Sequence, residues 1–199
     1  AKFFTEFERF DRYIDLRKRD GHHIDYVSVM SPNYLHDSHI RFALRAGADA
    51  ICEKPLVVNP WNVDSLRDVE KESGQKVNTI LQLRLHSSII AVREKVAAAL
   101  KADPDKRFVV DLSYITSRGA WYFQSWKGDE KKSGGIAANI GIHFYDMLIW
   151  IFGPVAGMSV NHRAEDSASG LIQYGNADVR WFLSINSEHL PADVQAKGQ

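Results

Sequence analysis

The sequence has one cysteine, Cys52, and no excess of charge, since 25 basic residues balance 25 acidic ones among 199. A single cysteine excludes an intrachain disulfide and fits a reducing compartment, so we expect a cytoplasmic protein. A chain without net charge has no overall field that would attract nucleic acid or an anionic membrane surface. Neither of these partners is therefore expected.

A long uninterrupted apolar run is also lacking. The longest one, "MLIWIFGPVAGM", is broken by Gly153 and Pro154 and is too short to span a bilayer. The start of the chain does not resemble a signal peptide. No plausible set of zinc ligands surrounds the early histidines, so no metal is expected there; these histidines are His22, His23, His36 and His39.

The pattern of apolar residues divides the chain into two halves. In the first half, "IDYVSVM", "ADAIC" and "KVNTILQLR" are predicted strands, and helical segments lie between them. This alternation predicts right-handed crossovers and a parallel, doubly wound sheet. In the second half, three apolar segments follow a long helix without helices between them, which predicts a largely antiparallel open sheet. We expect an α/β protein whose two domains meet at residues 85 and 86.

The stretch "ICEKPLVVNP" places Lys54 directly before Pro55, just after a predicted strand. Ligands of open parallel sheets bind outside the carboxyl ends of the strands, and "SPN" follows the preceding strand at the same edge. Proline favours an extended conformation for the residue before it. A lysine in such a turn is more often a stiff loop residue than a reactive group, so the motif alone leaves both interpretations open.

A second candidate lies in "GGIAANIGIHFYD", where Asn139, His143 and Asp146 fall on one stripe of a predicted helix. Two glycines precede this helix and give close access to its N-terminus, where backbone N–H groups attract anions. A histidine on an apolar helix is more often a core residue than a catalyst. This segment alone therefore does not establish a function.

Taken together, "SPNYLH", "EKP", "QLR" and "SGGIAANIGIHFYD" resemble the Gfo/Idh/MocA family of nicotinamide-dependent oxidoreductases in order and spacing. Within that family, "TSRGAWYFQSWKGD" and "NIGIHFYDMLIWIFG" are most similar to members that oxidise UDP-N-acetyl-2-amino-2-deoxy-D-glucuronate at C3 during O-antigen (lipopolysaccharide) biosynthesis. The resemblance implies NAD as cofactor and a UDP-sugar as substrate. It also implies that residues 1–85 are the second part of a Rossmann domain, and that residues 86–199 form an incomplete domain for substrate binding and oligomerisation.

The resemblance assigns roles to individual positions. Lys54 and His143 match the catalytic lysine and histidine, with His143 as the base and Lys54 stabilising the developing alkoxide. The positions that match the cofactor site are Ser31, Pro32, Asn33, His36, Glu53, Lys54, Pro55 and Arg84. The positions expected to meet the substrate, besides Lys54 and His143, are Arg118, Trp121, Tyr122, Trp126 and Asn139.

The chain departs from the family pattern in two ways. The fingerprint G-x-G-x-x-G is absent, because residues 1–23 contain only Gly21. We expect that the first βαβ segment is missing, and that this piece alone binds dinucleotide poorly and is impaired as an enzyme. Many members have aspartate where this chain has Asn139. An uncharged amide there is compatible with an anionic substrate.

Two alternatives stay open. One is a dehydrogenase of the same fold that acts on another sugar, an inositol or a dihydrodiol, and the other is a non-catalytic regulator that binds dinucleotide. Retention of both Lys54 and His143 favours the enzyme. Basic residues of the aromatic loop favour a large charged ligand; they are Arg118, Lys127, Lys131 and Lys132.

The last predicted strand indicates how the protein assembles. Trp181, Leu183 and Ile185 alternate along it and form a sheet face that must be covered. The resemblance implies a homodimer or homotetramer formed through this C-terminal sheet. Coverage of the face by local helices is the alternative.

Overall fold

The computed structural model describes residues 1–192. They form two compact units, the first spanning Ala1–Ile80 and the second beginning at Leu81. The boundary expected from the sequence lies slightly further along, at the end of a short 3-10 helix, Gln82–Leu85. Each unit has its own sheet and its own apolar core.

The first unit contains a three-stranded parallel sheet, and the predicted parallel arrangement is confirmed. Its strands β1 (Tyr26–Val29), β2 (Asp49–Cys52) and β3 (Val77–Thr79) lie side by side in chain order. Its helices are α1 (Phe7–Arg19), α2 (His36–Ala46) and α3 (Trp61–Ser73). Helices α2 and α3 end at Gly47 and Gly74, whose φ angles of +84° and +73° suit a residue without a Cβ atom.

The core of the first unit fixes the register of its strands. Val29 and Cys52 end their strands as paired residues, and both are buried against Ile40 and Leu44 of α2. Because β1 and β2 are parallel and in register, the loops that follow them leave from the same edge of the sheet. This edge carries most of the cofactor residues expected from the sequence.

The second unit is built on a four-stranded sheet in the order β4-β7-β6-β5. The strands are β4 (Phe108–Ile115), β5 (Val155–Arg163), β6 (Ser167–Tyr174) and β7 (Ala177–Ser184). The predicted, largely antiparallel sheet is confirmed, because β5–β6 and β6–β7 are antiparallel pairs. Strand β4 pairs with β7 in parallel. The helices and the two hairpin strands between β4 and β7 provide the long connection that parallel pairing requires.

The helices of the second unit are α4 (Ser87–Ala102), α5 (Ala120–Gln124), α6 (Glu130–Ser133) and α7 (Ile142–Phe152). The aromatic loop predicted between β4 and the long helix thus contains two short helices. One π-helical turn, Ala137–Gly141, precedes α7. Such widened turns occur often at functional sites, and this one contains Asn139.

Helix α7 covers the inner face of the sheet. Trp181, Leu183 and Ile185 are almost completely buried there, as predicted, and Tyr145 of α7 packs edge-on against Trp181 with ring centroids 5.5 Å apart. Local helices therefore cover this face, which was the alternative to coverage by a second copy of the chain. Among residues 1–192 nothing covers Val109 on the opposite face, where it is 75% exposed.

The segment Glu130–Phe152 contains an 18-residue window with a mean hydropathy of 1.3, and it therefore meets the length and composition criteria for a membrane span. The sequence expectation considered only the shorter run broken at Gly153, so it missed this property. In the structure the segment is divided among α6, the π turn and α7, and its Ile140 and Leu148 join the core under the sheet. Core helices of globular domains meet the same criteria, so this segment is weak evidence for a membrane.

Candidate active site

Two loops lie at the carboxyl edge of the first unit's sheet. Ser31, Pro32 and Asn33 follow β1, and Glu53, Lys54 and Pro55 follow β2. The backbone N–H of Glu53 donates to the carbonyl of Val29 at 3.0 Å, which extends the strand pairing into the loops. The Glu53 carboxylate accepts from the backbone N–H of Lys54 at 3.3 Å, and the Lys54–Pro55 peptide bond is cis. The two loops that carry these predicted residues thus lie next to each other.

His36 connects the two loops from beneath. It begins α2, and its side chain has no exposed surface. Its Nδ1 lies 2.7 Å from the carbonyl oxygen of Pro55, and its Nε2 lies 2.8 Å from the carbonyl oxygen of Ser31. The sequence expectation placed His36 on the cofactor surface, whereas the structure gives its ring contacts with the backbone of both loops.

His39, one turn further along α2, is a residue that the sequence reasoning did not assign to this edge. Its Nδ1 lies 2.9 Å from Oγ of Ser31, and its ring stacks on Phe7 at 4.5 Å. Burial lowers the pKa of His39, and the charge of the neighbouring His36 lowers it further. Its spacing of three residues from His36 on a helix was the sequence signal that could have indicated this position.

Cys52, the last residue of β2, is buried directly below this edge. Burial, and to a smaller extent the charge of Glu53, raises the pKa of its thiol to about 12. Because the thiolate is the reactive form, this cysteine is a packing residue and not a nucleophile.

In the second unit, the π turn and α7 carry the other candidate residues. Asn139 is buried in the π turn, and its Nδ2 donates to the hydroxyl oxygen of Tyr122 at 3.3 Å. Tyr122 is itself part of the buried core, so it orients the Asn139 amide from the side of the protein interior. His143 is half-buried one helical turn after Asn139.

Asp146 lies one turn after His143 and makes a bidentate ion pair with Arg84. Nε of Arg84 donates to Oδ2 of Asp146 at 2.7 Å, and a terminal nitrogen donates to Oδ1. The side chains are 10% exposed for Asp146 and 42% exposed for Arg84. The hydrogen bond that Arg84 donates to Asp146 raises the pKa of Arg84, which remains a cation. The ion pair fixes the guanidinium that the resemblance assigned to the cofactor site.

The aromatic loop between β4 and the π turn presents cations beside indole rings. Nζ of Lys127 lies 5.2 Å from the ring centroid of Trp121 and 5.7 Å from that of Trp126, within the range of a cation–π contact. Trp121 and Arg118 are exposed, and the backbone N–H of Arg118 donates to the carbonyl of Ile185 at 3.2 Å. Such a surface suits a ligand that has both a planar ring and negative charge.

Metal ligation has no structural basis in the described part of the chain. Within residues 1–192, no group of three or more histidine, cysteine, aspartate or glutamate side chains is placed to hold a metal ion.

Comparison with family models identifies the family of the chain. Residues 2–80 match the NAD-binding Rossmann fold of the GFO_IDH_MocA oxidoreductase family, and residues 107–193 match the C-terminal alpha/beta domain of the same family. The chain belongs to the Gfo/Idh/MocA oxidoreductase family.

Solved structures show a more specific similarity. The WlbA (WbpB) dehydrogenase from Thermus thermophilus, in complex with NAD and UDP-GlcNAcA, is 44% identical, with a TM-score of 0.91 over 100% of this chain and 63% of that one. The same dehydrogenase is known in complex with NAD and α-ketoglutarate. The WlbA dehydrogenase from Bordetella pertussis is 19% identical, with a TM-score of 0.73 over 86% of this chain and 56% of that one, which shows the shared fold.

Curated relatives are more distant. D-glucoside 3-dehydrogenase of Escherichia coli (strain K12) is 26% identical over 181 residues, covering 79% of this chain and 51% of that protein. 1,5-anhydro-D-fructose reductase of Ensifer adhaerens is 24% identical over 169 residues, covering 80% of this chain and 50% of that protein. The chain thus spans about half the length of these relatives.

Proposed function

We propose that the protein oxidises the 3-hydroxyl of a UDP-linked N-acetylglucosaminuronate, with NAD as the hydride acceptor. The observation that supports this most is the Thermus thermophilus dehydrogenase, which is similar over the whole chain and holds NAD and UDP-GlcNAcA. Such a reaction belongs to the synthesis of bacterial surface polysaccharides, and O-antigen is the product that we propose. The free, buried Cys52 fits a cytoplasmic location.

The residues at the carboxyl edge of the first unit's sheet fit a dinucleotide. Ser31, Asn33 and Glu53 offer a hydroxyl, an amide and a carboxylate at the ends of adjacent parallel strands, where α/β sheets bind nucleotides. These groups suit the hydroxyls of a ribose and the amide of a nicotinamide. When bound, NAD supplies the acceptor for the hydride that leaves C3.

Lys54 and His143 are the proposed catalytic residues. His143 takes the proton of the 3-hydroxyl as the C–H bond breaks, because an imidazole can exchange a proton near neutral pH. The ammonium of Lys54 donates a hydrogen bond to the same oxygen and stabilises the negative charge that develops there. The product is the 3-keto sugar, and the proton leaves through His143.

Asn139 and Arg84 tune the surroundings of His143. Asn139 adds no charge, and its amide is held by the Tyr122 hydroxyl, which suits a substrate that already carries a carboxylate and a diphosphate. Asp146 is neutralised by Arg84, so the helix that bears His143 presents no unpaired carboxylate to an anionic substrate. The arrangement therefore favours binding of an anion beside the base.

The aromatic loop is proposed to bind the nucleotide part of the substrate. Arg118 and Lys127 supply positive charge for phosphates, and Trp121 supplies an exposed ring face. The loop residues Trp126 and Tyr122 differ in role, because Trp126 packs on Lys127 while Tyr122 belongs to the core.

The test uses the full-length protein, NAD and UDP-N-acetylglucosaminuronate carrying deuterium at C3. We expect reduced nicotinamide to form and to contain the deuterium, and Lys54→Met or His143→Gln to slow its formation by ~10²–10⁴-fold. A parallel reaction with α-ketoglutarate shows whether the reduced cofactor is reoxidised in place. Unlabelled reduced nicotinamide, or none from a protein shown to bind both ligands, would overturn the proposal.

A second substrate class is a sugar without a nucleotide. The similarity to D-glucoside 3-dehydrogenase favours this class, because the name of that relative also specifies position 3. The same assay with a free glucoside separates the two classes, since only one substrate should support turnover at low concentration. Nicotinamide binding without turnover on either substrate, or on an inositol or a dihydrodiol, would favour a regulator.

We also propose that the protein is a homodimer or homotetramer formed through the outer face of the C-terminal sheet. That face exposes Val109 and Leu171 around the ion pair of Asp111 and Arg180, whose Nε–Oδ1 distance is 2.6 Å. An apolar face of this kind is usually covered in solution. Val109→Asp should yield a smaller particle by light scattering, whereas Ser87→Asp on exposed α4 should not. An unchanged mass for Val109→Asp would contradict this interface.

A further inference from the structure

The β5–β6 turn, residues 163–167, connects the two hairpin strands of the second unit's sheet. The backbone N–H of Ala164 donates to the carbonyl of Ser167 at 2.8 Å, and the strand pairing continues up to Arg163 and Ala168. None of the site residues expected from the sequence lies in this turn. By two separate routes, however, the turn is connected to both ends of the aromatic loop, which follows β4 at residue 116 and ends before the π turn at residue 136.

The first end of the aromatic loop is held through the residues at the end of β7. The backbone N–H of Thr116 donates to the carbonyl of Ser184 at 2.9 Å. The backbone N–H of Arg118 donates to the carbonyl of Ile185 at 3.2 Å. Ile185 is 1% exposed, and its own N–H donates to the backbone carbonyl of Asp166 at 2.9 Å. A single buried residue therefore connects the main chain of Arg118 to the β5–β6 turn.

The side chain of Asp166 strengthens this connection. Its Oδ2 accepts from Nδ2 of Asn186 at 2.8 Å, and its Oδ1 accepts from Oγ of Ser167 at 3.0 Å. The backbone N–H of Asn186 donates in turn to Oγ of Ser184 at 3.0 Å. A carboxylate is ionised at neutral pH, so its hydrogen bonds are of the stronger, charge-assisted kind. Asp166 thus fixes the chain on both sides of Ile185.

The second end of the aromatic loop is held by Arg163. Its guanidinium donates to Oε1 of Glu130, the first residue of α6. Glu130 also contacts the two glycines near the end of the loop. Its carbonyl accepts from the N–H of Gly134 at 2.8 Å, and a Cβ atom at Gly135 would lie 3.3 Å from its Cγ. The ion pair therefore connects the β5–β6 turn to the segment that enters the π turn.

We propose that the β5–β6 turn anchors the aromatic loop at both ends, and that Asp166 and Arg163 are positioning residues for the nucleotide part of the substrate. Between the two anchors Tyr122 joins the core, whereas Trp121 beside it is 53% exposed. Fixed ends limit the conformations of such a loop before a ligand arrives, so less freedom is lost on binding. The effect on the substrate rests on the function proposed above, whereas the anchoring itself does not.

The first experiment measures the loop without a ligand. Amide hydrogen exchange of the full-length protein is followed by mass spectrometry in peptides that cover residues 116–136. We expect exchange to become about 10-fold faster at the start of the loop in Asp166→Ala, and about 3-fold faster at its end in Arg163→Met. Asp166→Asn keeps an oxygen that accepts from Asn186, so it should recover most of the wild-type protection.

Two results of the exchange experiment would overturn the anchoring. One is unchanged exchange of the loop in both Asp166→Ala and Arg163→Met. The other is faster exchange throughout the second unit, which would show general destabilisation. Arg163 is an exposed residue, so Arg163→Met should fold even if Asp166→Ala does not.

The second experiment measures the effect on binding, with UDP titrated into the full-length protein in the presence of NAD. We expect the Kd for UDP to rise about 10-fold in Asp166→Ala and about 3-fold in Arg163→Met, and KM for the sugar nucleotide to rise more than kcat falls. The control is Arg67→Met, which should keep the wild-type Kd. Arg67 lies on α3, its side chain is 66% exposed against 71% for Arg163, and it is likewise paired with a carboxylate, that of Asp64 at 3.1 Å.

The outcomes of the second experiment separate the anchoring from the proposed function. A wild-type Kd in both folded variants would refute the positioning of the nucleotide. A wild-type protein that does not bind UDP would refute the proposed substrate instead, and the exchange of residues 116–136 would still decide whether the turn anchors the loop.

Discussion

Gly170 of β6 tests how tightly this strand packs against β5 and against Trp181, which contacts α7. A Cβ atom at this position of β6 would lie 2.1 Å from the backbone oxygen of Ser159 and 2.8 Å from Cζ2 of Trp181. The first atom belongs to the adjacent strand β5, so it cannot rotate away without separating β5 from β6. The second belongs to an almost fully buried indole that packs on Tyr145 of α7. Even a methyl group must therefore displace a strand, an indole or both.

The expected cost of Gly170→Ala is about 2 kcal/mol. Overpacking costs ~1–3 kcal/mol, and we take the upper end because a backbone atom is involved. A gain of ~0.4–1 kcal/mol from the lower entropy of the unfolded alanine chain offsets part of it. For a chain of this length, about 2 kcal/mol corresponds to a Tm lower by ~4–8 °C, measured by near-ultraviolet circular dichroism of the aromatic residues.

Gly175→Ala is the matched control for Gly170→Ala. A Cβ atom at Gly175 would have no atom within 4 Å, and its backbone is outside the left-handed region. We expect its stability to lie within ~0.5 kcal/mol of wild type. The packing argument would be refuted if the two variants had the same Tm.

Three further predictions concern single side chains. Arg84→Met should lower the free energy of unfolding in urea by about 2 kcal/mol, because it leaves the nearly buried carboxylate of Asp146 without its cation. Asp146→Asn should lower it by less. The reverse order of the two variants would contradict the ion-pair account. Hydrogen bonds from Asn186, and then Ser167, hold the pKa of Asp166 below its usual value. Asp166 therefore stabilises the folded protein above its unfolded pKa of ~3.9, and this stabilisation is lost as the pH falls through the lower folded pKa. On acidification, the free energy of unfolding of Asp166→Asn should therefore fall less than that of the wild type. Cys52, with a thiol pKa of about 12, should resist iodoacetamide at neutral pH until the protein is unfolded, and rapid labelling of the native protein would contradict its burial.

The architecture could be predicted from the sequence where it depends on local periodicity. Buried runs alternating with helices predicted the parallel sheet, and alternation at Trp181 and Leu183 predicted the inward face of β7. The parallel pairing of β4 with β7 was not predicted, because these strands are separated by about 70 residues and their pairing leaves no local pattern. The short helices inside the aromatic loop were missed because each spans only one turn or so.

The candidate site could be predicted only in part. The edge that carries Ser31 and Lys54 follows from parallel strands, since their carboxyl ends coincide. The partners that orient the site residues did not follow, because Arg84 meets Asp146 across 62 positions and Asn139 meets Tyr122 across 17. Motif similarity identifies which side chains belong to a site, but tertiary packing decides which groups hold them in place.

The central claim is that Lys54 and His143 act on one alcohol, and a kinetic double-mutant cycle tests it most directly. In the full-length protein with NAD and UDP-N-acetylglucosaminuronate, Lys54→Met and His143→Gln should each lower kcat by ~10²–10⁴-fold. Because residues that act as a unit are strongly non-additive, the double variant should be little worse than the poorer single variant. Losses that multiply in the double variant, or a single variant with near wild-type kcat, would contradict the account.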